Sequence, residues 1–188
     1  MALFGKGFRR TQGNPRPARE TPSSCIESNN PMAGIDIRPL SPTDAPDLQR
    51  HCFPKETPQA VNEYVERALR FVERGQAAHL VAEADGRAVA NAQLLCWRKR
   101  AEIGSLVVAE PLRRRGIGSA LIEALNQAAA DLGAEEIEIG AEKSNKQVVD
   151  LYQSLGFRPY KETSLPGNGG RDEQIVYLVK AVPSRNES

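Results

Sequence analysis

Residues 103–119, which read IGSLVVAEPLRRRGIGS, decide the fold of this chain and most of its function. The segment begins with an apolar, β-branched run that predicts a buried strand, made of Ile103, Leu106, Val107 and Val108. A turn follows, and then come Arg113, Arg114, Arg115, Gly116, Ile117, Gly118 and Ser119 at the start of an amphipathic helix. This order places unpaired N–H groups and the positive end of a helix dipole beside two glycines. The segment therefore predicts a site for a phosphate or a pyrophosphate.

Two common phosphate-binding patterns do not fit these residues. A P-loop is excluded because Gly116 is not followed by the Gly-Lys-Ser/Thr ending. The dinucleotide fingerprint also fails, because it requires a third glycine. Three arginines at a helix start are unfavourable against the helix dipole, and a bound anion would offset that cost.

The composition limits the class of protein. The chain has 188 residues with 25 basic and 24 acidic side chains, so its net charge is +1. The length argues for a single domain, and the charge balance argues against nucleic acid or an anionic membrane as a partner. The three cysteines, Cys25, Cys52 and Cys96, are scattered, which predicts no disulfide framework, no metal site and a cytoplasmic protein.

The pattern predicts one folded domain between two disordered ends. Residues 1–31 contain four prolines and little apolar periodicity, so we interpret them as a disordered extension rather than a targeting peptide, or as residues ahead of a natural start at Met32. The domain is expected over residues 32–182, and residues 183–188 are expected to form a frayed tail.

The expected order of elements is β-α-α-β-β-β-α-β-α-β-β. Capping patterns mark three helix starts, at Ser41–Asp44, at Thr57-Pro58 and at Ser144–Gln147. Asp85-Gly86 indicates a hairpin between two strands, and Ile175–Val179 indicates the last strand. Hairpin strands followed by β-α-β units predict an α/β fold with a mixed, mostly antiparallel central sheet and helices on both faces.

A second motif, NKQVVDLYQSLGF at residues 145–157, lies some thirty residues after the first. Together the two motifs closely resemble the GNAT superfamily of acyl-CoA-dependent N-acyltransferases. The resemblance covers roughly residues 35–180 and implies the GNAT fold with acetyl-CoA as co-substrate.

The resemblance also implies individual roles. Backbone N–H groups of Arg114–Ser119 would hold the CoA pyrophosphate, with charge added by Arg113 or its neighbours. Leu106, Val107 and Val108 would pair with the pantetheine arm, and an N–H near Val107 or Val108 would polarise the acetyl carbonyl. Asn145 would contact the pantetheine, and Tyr152 would protonate the departing thiolate.

An amine attacks a thioester only as the free base, so the reaction needs a route for proton removal. Glu102 is the first candidate for the base and Glu142 is the second. The competing interpretation of Glu102 is a solvated residue in a charged turn. We expect His51 and His79 to be structural or exposed, and Cys52 to be an ordinary thiol rather than a nucleophile.

We therefore expect an acetyl-CoA-dependent N-acetyltransferase that acts on a small-molecule or peptide amine by direct attack in a ternary complex. Non-catalytic acyl-CoA-binding modules and, more remotely, plain nucleotide-binding proteins are the alternatives, and a homodimer is plausible. The acceptor is expected between residues 52–57 and the glycine-rich loop at 164–172, which should be mobile. Glu56, Asp172 and Glu173 would attract a cationic amine, whereas Arg98-Lys99-Arg100 would attract an acidic one.

Overall fold

The computed structural model describes residues 34–166 and 172–183. Most of the two predicted disordered ends lies outside the described residues, as do residues 167–171 of the glycine-rich loop. The strands are β1 (Ile35–Pro39), β2 (Ala77–Ala84), β3 (Arg87–Trp97), β4 (Arg100–Val108), β5 (Glu136–Glu142), β6 (Arg158–Pro166) and β7 (Asp172–Ala181). The helices are α1 (Ala45–His51), α2 (Pro58–Glu73), α3 (Ile117–Asp131) and α4 (Lys146–Ser154), with short 3-10 turns at Pro42–Asp44 and Glu110–Leu112.

The predicted order of elements is confirmed, and so is the fold class. The seven strands form one sheet in the order β1-β2-β3-β4-β5-β7-β6. Every neighbouring pair is antiparallel except β4 and β5, which run parallel. The α3 helix is therefore the crossover between two parallel strands, as a β-α-β unit requires.

Helices cover both faces of the sheet. Apolar residues of α1 and α2, including Leu48, Val61 and Val65, pack with Val81 of β2 on one face. On the other face α3 and α4 build the larger core, whose fully buried side chains include Leu121, Ile122, Leu125, Ile137, Ile139, Phe157 and Leu178. The two cores hold the ends of β4 and α3 at fixed positions, which is what places the site.

The capping patterns predicted two helix starts correctly and one with an error of a single residue. Ser41 and Asp44 form the expected capping box, and the Thr57 hydroxyl accepts a hydrogen bond from the N–H of Ala60. The predicted box at Ser144 is wrong, because the N-cap of α4 is Asn145, whose side chain accepts from the N–H of Val148 at 3.3 Å. The Ser144 hydroxyl turns back to Glu142 instead.

Candidate active site

An opening between β4 and β5 is the main feature of the sheet. The two strands pair only from Arg100 to Ile103 on β4 and from Glu136 to Ile139 on β5. Beyond Ile103, β4 continues to Val108, whereas β5 stays paired with β7 up to Glu142. The strands thus separate, and the edge of β4 that faces β5 is free to pair with an extended ligand.

A β-bulge lies at the start of this free edge. Asn91 on β3 pairs with Val107 and Gln93 pairs with Gly104, so the one residue between them opposes both Ser105 and Leu106. Ser105 has a φ of +52°, which is a left-handed backbone conformation that non-glycine residues rarely adopt. Such bulges bend a strand and redirect its groups, and they occur often beside active sites.

The start of α3 offers unpaired backbone donors beside the end of β4. The first helical hydrogen bond joins the N–H of Ala120 to the carbonyl of Gly116 at 3.0 Å, and no side chain caps the helix. The N–H groups of Ile117, Gly118 and Ser119 therefore have no helical acceptor. A Cβ built on Gly118 would lie 3.9 Å from Val108 Cγ2, so the first turn packs directly on the strand end.

The three arginines surround this helix start. Arg113, Arg114 and Arg115 are exposed, and none of them pairs with a carboxylate within the described part of the chain. Arg113 Nε donates to the carbonyl of Val108 at 3.1 Å and ties the arginine run to β4. Unpaired arginines, free N–H groups and the positive helix end together favour an anion.

Glu102 is half-buried on β4, just ahead of the bulge. Its register partner on β5 is Glu138. Burial raises the pKa of Glu102, and the nearby Glu138 carboxylate raises it further. This position contradicts the solvated-turn interpretation and gives a carboxyl that is poised to exchange a proton.

Tyr152 faces the core from α4. Its side chain is 6% exposed and its ring centroid lies 6.3 Å from that of Phe157. Burial raises the pKa of Tyr152 to about 12, so the hydroxyl stays protonated near neutral pH. A protonated phenol has a proton to give and can act as a general acid toward a leaving group that departs as an anion.

The other titratable candidates are structural or exposed. His79 is buried, and burial lowers its pKa, so the ring is neutral at pH 7. Burial raises the pKa of Cys52 to about 12, which keeps it a thiol and removes the nucleophile interpretation. Glu142 is exposed at the end of β5.

The Arg98–Arg100 turn does not line the opening. It joins β3 to β4 at the opposite end of the strand from the bulge. Lys99 pairs with Glu135 and Arg100 with Glu136, at 2.5 and 3.1 Å. Two of the three positive side chains in this turn are therefore paired with carboxylates, which weakens the suggestion that the turn attracts an acidic acceptor.

The Asn91 side chain was missed by the sequence analysis. It is fully buried and its amide nitrogen donates to the carbonyl of Ser105 at 2.6 Å. The available signal was an asparagine inside an otherwise apolar strand, where this residue type is disfavoured.

Comparisons with known proteins agree with this geometry. Residues 43–157 match the model of the Acetyltransferase (GNAT) family. The chain belongs to this family. An N-alpha-acetyltransferase of Sulfurisphaera tokodaii is 34% identical in an alignment of 119 residues that covers 56% of this chain and 70% of that protein.

Solved GNAT structures share the fold at low sequence identity. The protein yncA of Salmonella typhimurium, solved with its cofactor acetyl-CoA, is 17% identical with a TM-score of 0.66, covering 81% of this chain and 96% of that one. The ribosomal-protein-S18-alanine N-acetyltransferase of Escherichia coli is 20% identical with a TM-score of 0.65, covering 82% and 97%. Enzymes of the GNAT family use acetyl-CoA.

The described residues offer neither a metal-binding cluster nor a membrane-spanning helix. Within residues 34–166 and 172–183, no group of three or more His, Cys, Asp or Glu side chains could hold a metal ion. Across the same ranges, no helix combines the length and apolar character that crossing a bilayer demands.

Proposed function

We propose that this GNAT protein transfers the acetyl group of acetyl-CoA to a primary amine by direct attack in a ternary complex. The observation that carries the proposal is the contact between the end of β4 and the first turn of α3. It sets a free strand edge beside uncapped N–H groups and unpaired arginines. The free edge pairs with the pantetheine amides, and the N–H groups of Arg114–Ser119 hold the pyrophosphate.

Glu102 and Tyr152, whose pKa values are raised by burial, supply the base and the acid. The amine nitrogen forms a bond to the thioester carbonyl carbon, and the carbon–sulfur bond breaks. Glu102, directly or through water, takes the proton that the amine releases, and the buried phenol of Tyr152 gives its proton to the thiolate. A backbone N–H beyond the bulge, at Val107 or Val108, stabilises the charge on the carbonyl oxygen.

The acceptor that fits best is the α-amine of a peptide or protein. Two observations support it: the Sulfurisphaera tokodaii relative is named an N-alpha-acetyltransferase, and Glu102 is a carboxyl of raised pKa. An α-amine has a pKa of about 8, against about 10.4 for lysine, so a carboxylate base deprotonates it far more easily.

A depression beside α2 gives this acceptor a place to bind. Its volume is about 400 Å³ and its lining includes Phe53, Glu56, Glu63, Tyr64 and Arg67. The predicted role of Glu56 in attracting a cationic amine is retained, with Glu63 as a second carboxylate on the same wall. The aromatic rings would cover the first side chain of the peptide.

The test combines binding with turnover. Calorimetry measures acetyl-CoA affinity, and thiol release is followed with three acceptor sets: peptides with a free α-amine, the same peptides with that amine blocked and an internal lysine present, and polyamines. Turnover on the first set alone supports the proposal. Tight acetyl-CoA binding without turnover on any amine would support the non-catalytic module instead.

A further inference from the structure

A cluster of buried polar side chains lies behind the β4 bulge, on the α2 side of the sheet. Asn91 is 0% exposed and His79 is 2% exposed, in a layer that is otherwise apolar. The Tyr64 hydroxyl of α2 donates to Asn91 Oδ1 at 3.2 Å and lies 3.4 Å from His79 Nε2. His79 Nε2 also hydrogen-bonds Asn91 Oδ1. Asn91 and His79 are buried and Tyr64 is partly buried. Burial of polar groups is costly, so the cluster calls for an explanation beyond packing.

The contacts fix the orientation of the Asn91 amide. Its oxygen accepts from Tyr64 and His79, so its nitrogen must point the other way, toward the carbonyl of Ser105 at 2.6 Å. The His79 ring supports this arrangement when its proton is on Nε2. Its Nδ1 is buried and has no partner among the described residues, and protonation there would add an unpaired donor.

The hydrogen bond from Asn91 to the Ser105 carbonyl lies at the point where the bulge interrupts the β3–β4 pairing. Because Ser105 and Leu106 both face a single β3 residue, the regular pairing is interrupted at this point. The Asn91 amide thus gives a hydrogen-bond partner to the carbonyl of a residue with a φ of +52°. A left-handed serine persists only where its surroundings hold it.

The bulge also reverses which side chains face which core. Before the bulge, Ala101 and Ile103 pack into the core on the α3 side of the sheet. After the bulge, Leu106 and Val108 pack into that same core, and Val107 packs on the α2 side. The phase of the strand therefore shifts by one residue. The direction of the backbone N–H groups beyond Ser105 depends on that shift.

We infer that Asn91 is a positioning residue for acetyl transfer: Tyr64 and His79 orient its amide, and the amide holds the Ser105 bulge that aims the following backbone N–H groups at the thioester carbonyl. This inference rests on the proposed function. It assigns Asn91 no contact with substrate. Tyr64 also lines the depression beside α2, so the network extends from the acceptor side to the bulge.

The main test compares Asn91→Leu, which keeps the volume but loses the donor, with wild type and with Ile137→Ala. Ile137 is buried at the far end of β5, so its variant is destabilised without touching the bulge. We expect Asn91→Leu to lower kcat by about ten- to a hundredfold, because a small misalignment of the N–H donor is costly. The factor by which kcat falls should exceed the factor by which KM for acetyl-CoA rises, and Ile137→Ala should keep its kcat.

A second measurement needs no turnover. CoA lacks the acetyl carbonyl, so the wild-type protein should bind acetyl-CoA more tightly than CoA. In Asn91→Leu the two dissociation constants should become similar, and the dissociation constant for CoA should stay within about twofold of the wild-type value. The mild variant Tyr64→Phe, which removes only the hydroxyl, should move kcat in the same direction by a smaller factor.

The outcomes separate this inference from the proposed function. A wild-type protein with no turnover on any amine defeats the proposed function, whereas the affinity comparison still tests the bulge. If Asn91→Leu weakens CoA and acetyl-CoA equally, or matches Ile137→Ala in kcat, Asn91 is merely structural and the inference is overturned. Unchanged kcat in Tyr64→Phe would contradict the role of the network.

Discussion

Glu102 and Glu138 occupy paired positions on the neighbouring parallel strands β4 and β5, just before the strands separate. Burial raises the pKa of Glu102, and the adjacent carboxylate adds to the effect. Glu138 in turn accepts a hydrogen bond from the Tyr160 hydroxyl, which holds it beside its partner. The fold thus places a carboxyl of raised pKa beside the opening between β4 and β5, where we propose that the thioester binds.

This pairing predicts the pH profile of the enzyme. Glu102 acts as a base only when ionised, so kcat/KM should rise with pH. The midpoint of this ascending limb of the pH profile should lie above 4.5, the ordinary pKa of a glutamate carboxyl. Glu138→Gln removes the like charge and should move that limb to lower pH. Glu102→Gln should lower kcat by about a hundredfold and abolish the limb. Glu136→Gln, which affects a carboxylate paired with Arg100, is the matched control and should leave the limb in place.

The same carboxyl should reduce stability. Since folding raises the pKa of Glu102, the folded state holds its proton more tightly, and stability falls as pH rises from the unfolded value through the folded one. Glu102→Gln carries no charge to bury, so its Tm should exceed that of wild type at pH 8. The two Tm values should converge at pH 4, and a lower Tm for the variant at pH 8 would contradict the raised pKa.

The sequence predicted those parts of the site that depend on local pattern. The strand at Leu106–Val108, the arginines and the start of α3 could be located because strand and helix periodicities change within a few residues. The bulge at Ser105 could not, since it depends on register against β3 and on a side chain fourteen positions earlier in the chain. The cap of α4 was misplaced because Ser144 and Asn145 are both good N-caps, and only the backbone decides between them.

Tyr152→Phe should separate proton donation from packing. The variant keeps the ring against Phe157 and removes a hydroxyl whose pKa burial raises to about 12. We expect kcat to fall more than KM rises, by about ten- to a hundredfold, with unchanged CoA affinity by calorimetry. Tyr160→Phe offers the same chemical change on an exposed tyrosine and should keep kcat at high pH. Full activity in Tyr152→Phe would assign the proton to water or to another group.

Asn145 can be tested for two roles at once. Its side-chain oxygen caps α4, and its amide nitrogen remains available for a pantetheine oxygen. Asn145→Ala should lose the capping oxygen and the amide nitrogen, and its lower Tm should correspond to a loss of about 1 kcal/mol in the free energy of unfolding. Asn145→Asp keeps the capping oxygen and should therefore keep the wild-type Tm. If the nitrogen contacts the ligand, both variants weaken acetyl-CoA binding. Normal affinity in Asn145→Asp would leave the cap as the only role.

Two glycines at opposite ends of α3 provide the sharpest test of the pyrophosphate site. Gly116 has a φ of +83° at the start of the helix, Gly133 has a φ of +78° beyond its end, and a Cβ on either would meet nothing within 4 Å. Valine at either position should therefore cost a similar amount of stability, about 1–2 kcal/mol or more, from backbone strain. Only Gly116→Val would place a branched side chain among the N–H groups that we propose hold the pyrophosphate. Calorimetry should show CoA affinity reduced at least about tenfold in Gly116→Val and little changed in Gly133→Val. Equal CoA affinities in the two variants would mean that the pyrophosphate binds elsewhere. Any loss of affinity would then come from the backbone strain that both variants share.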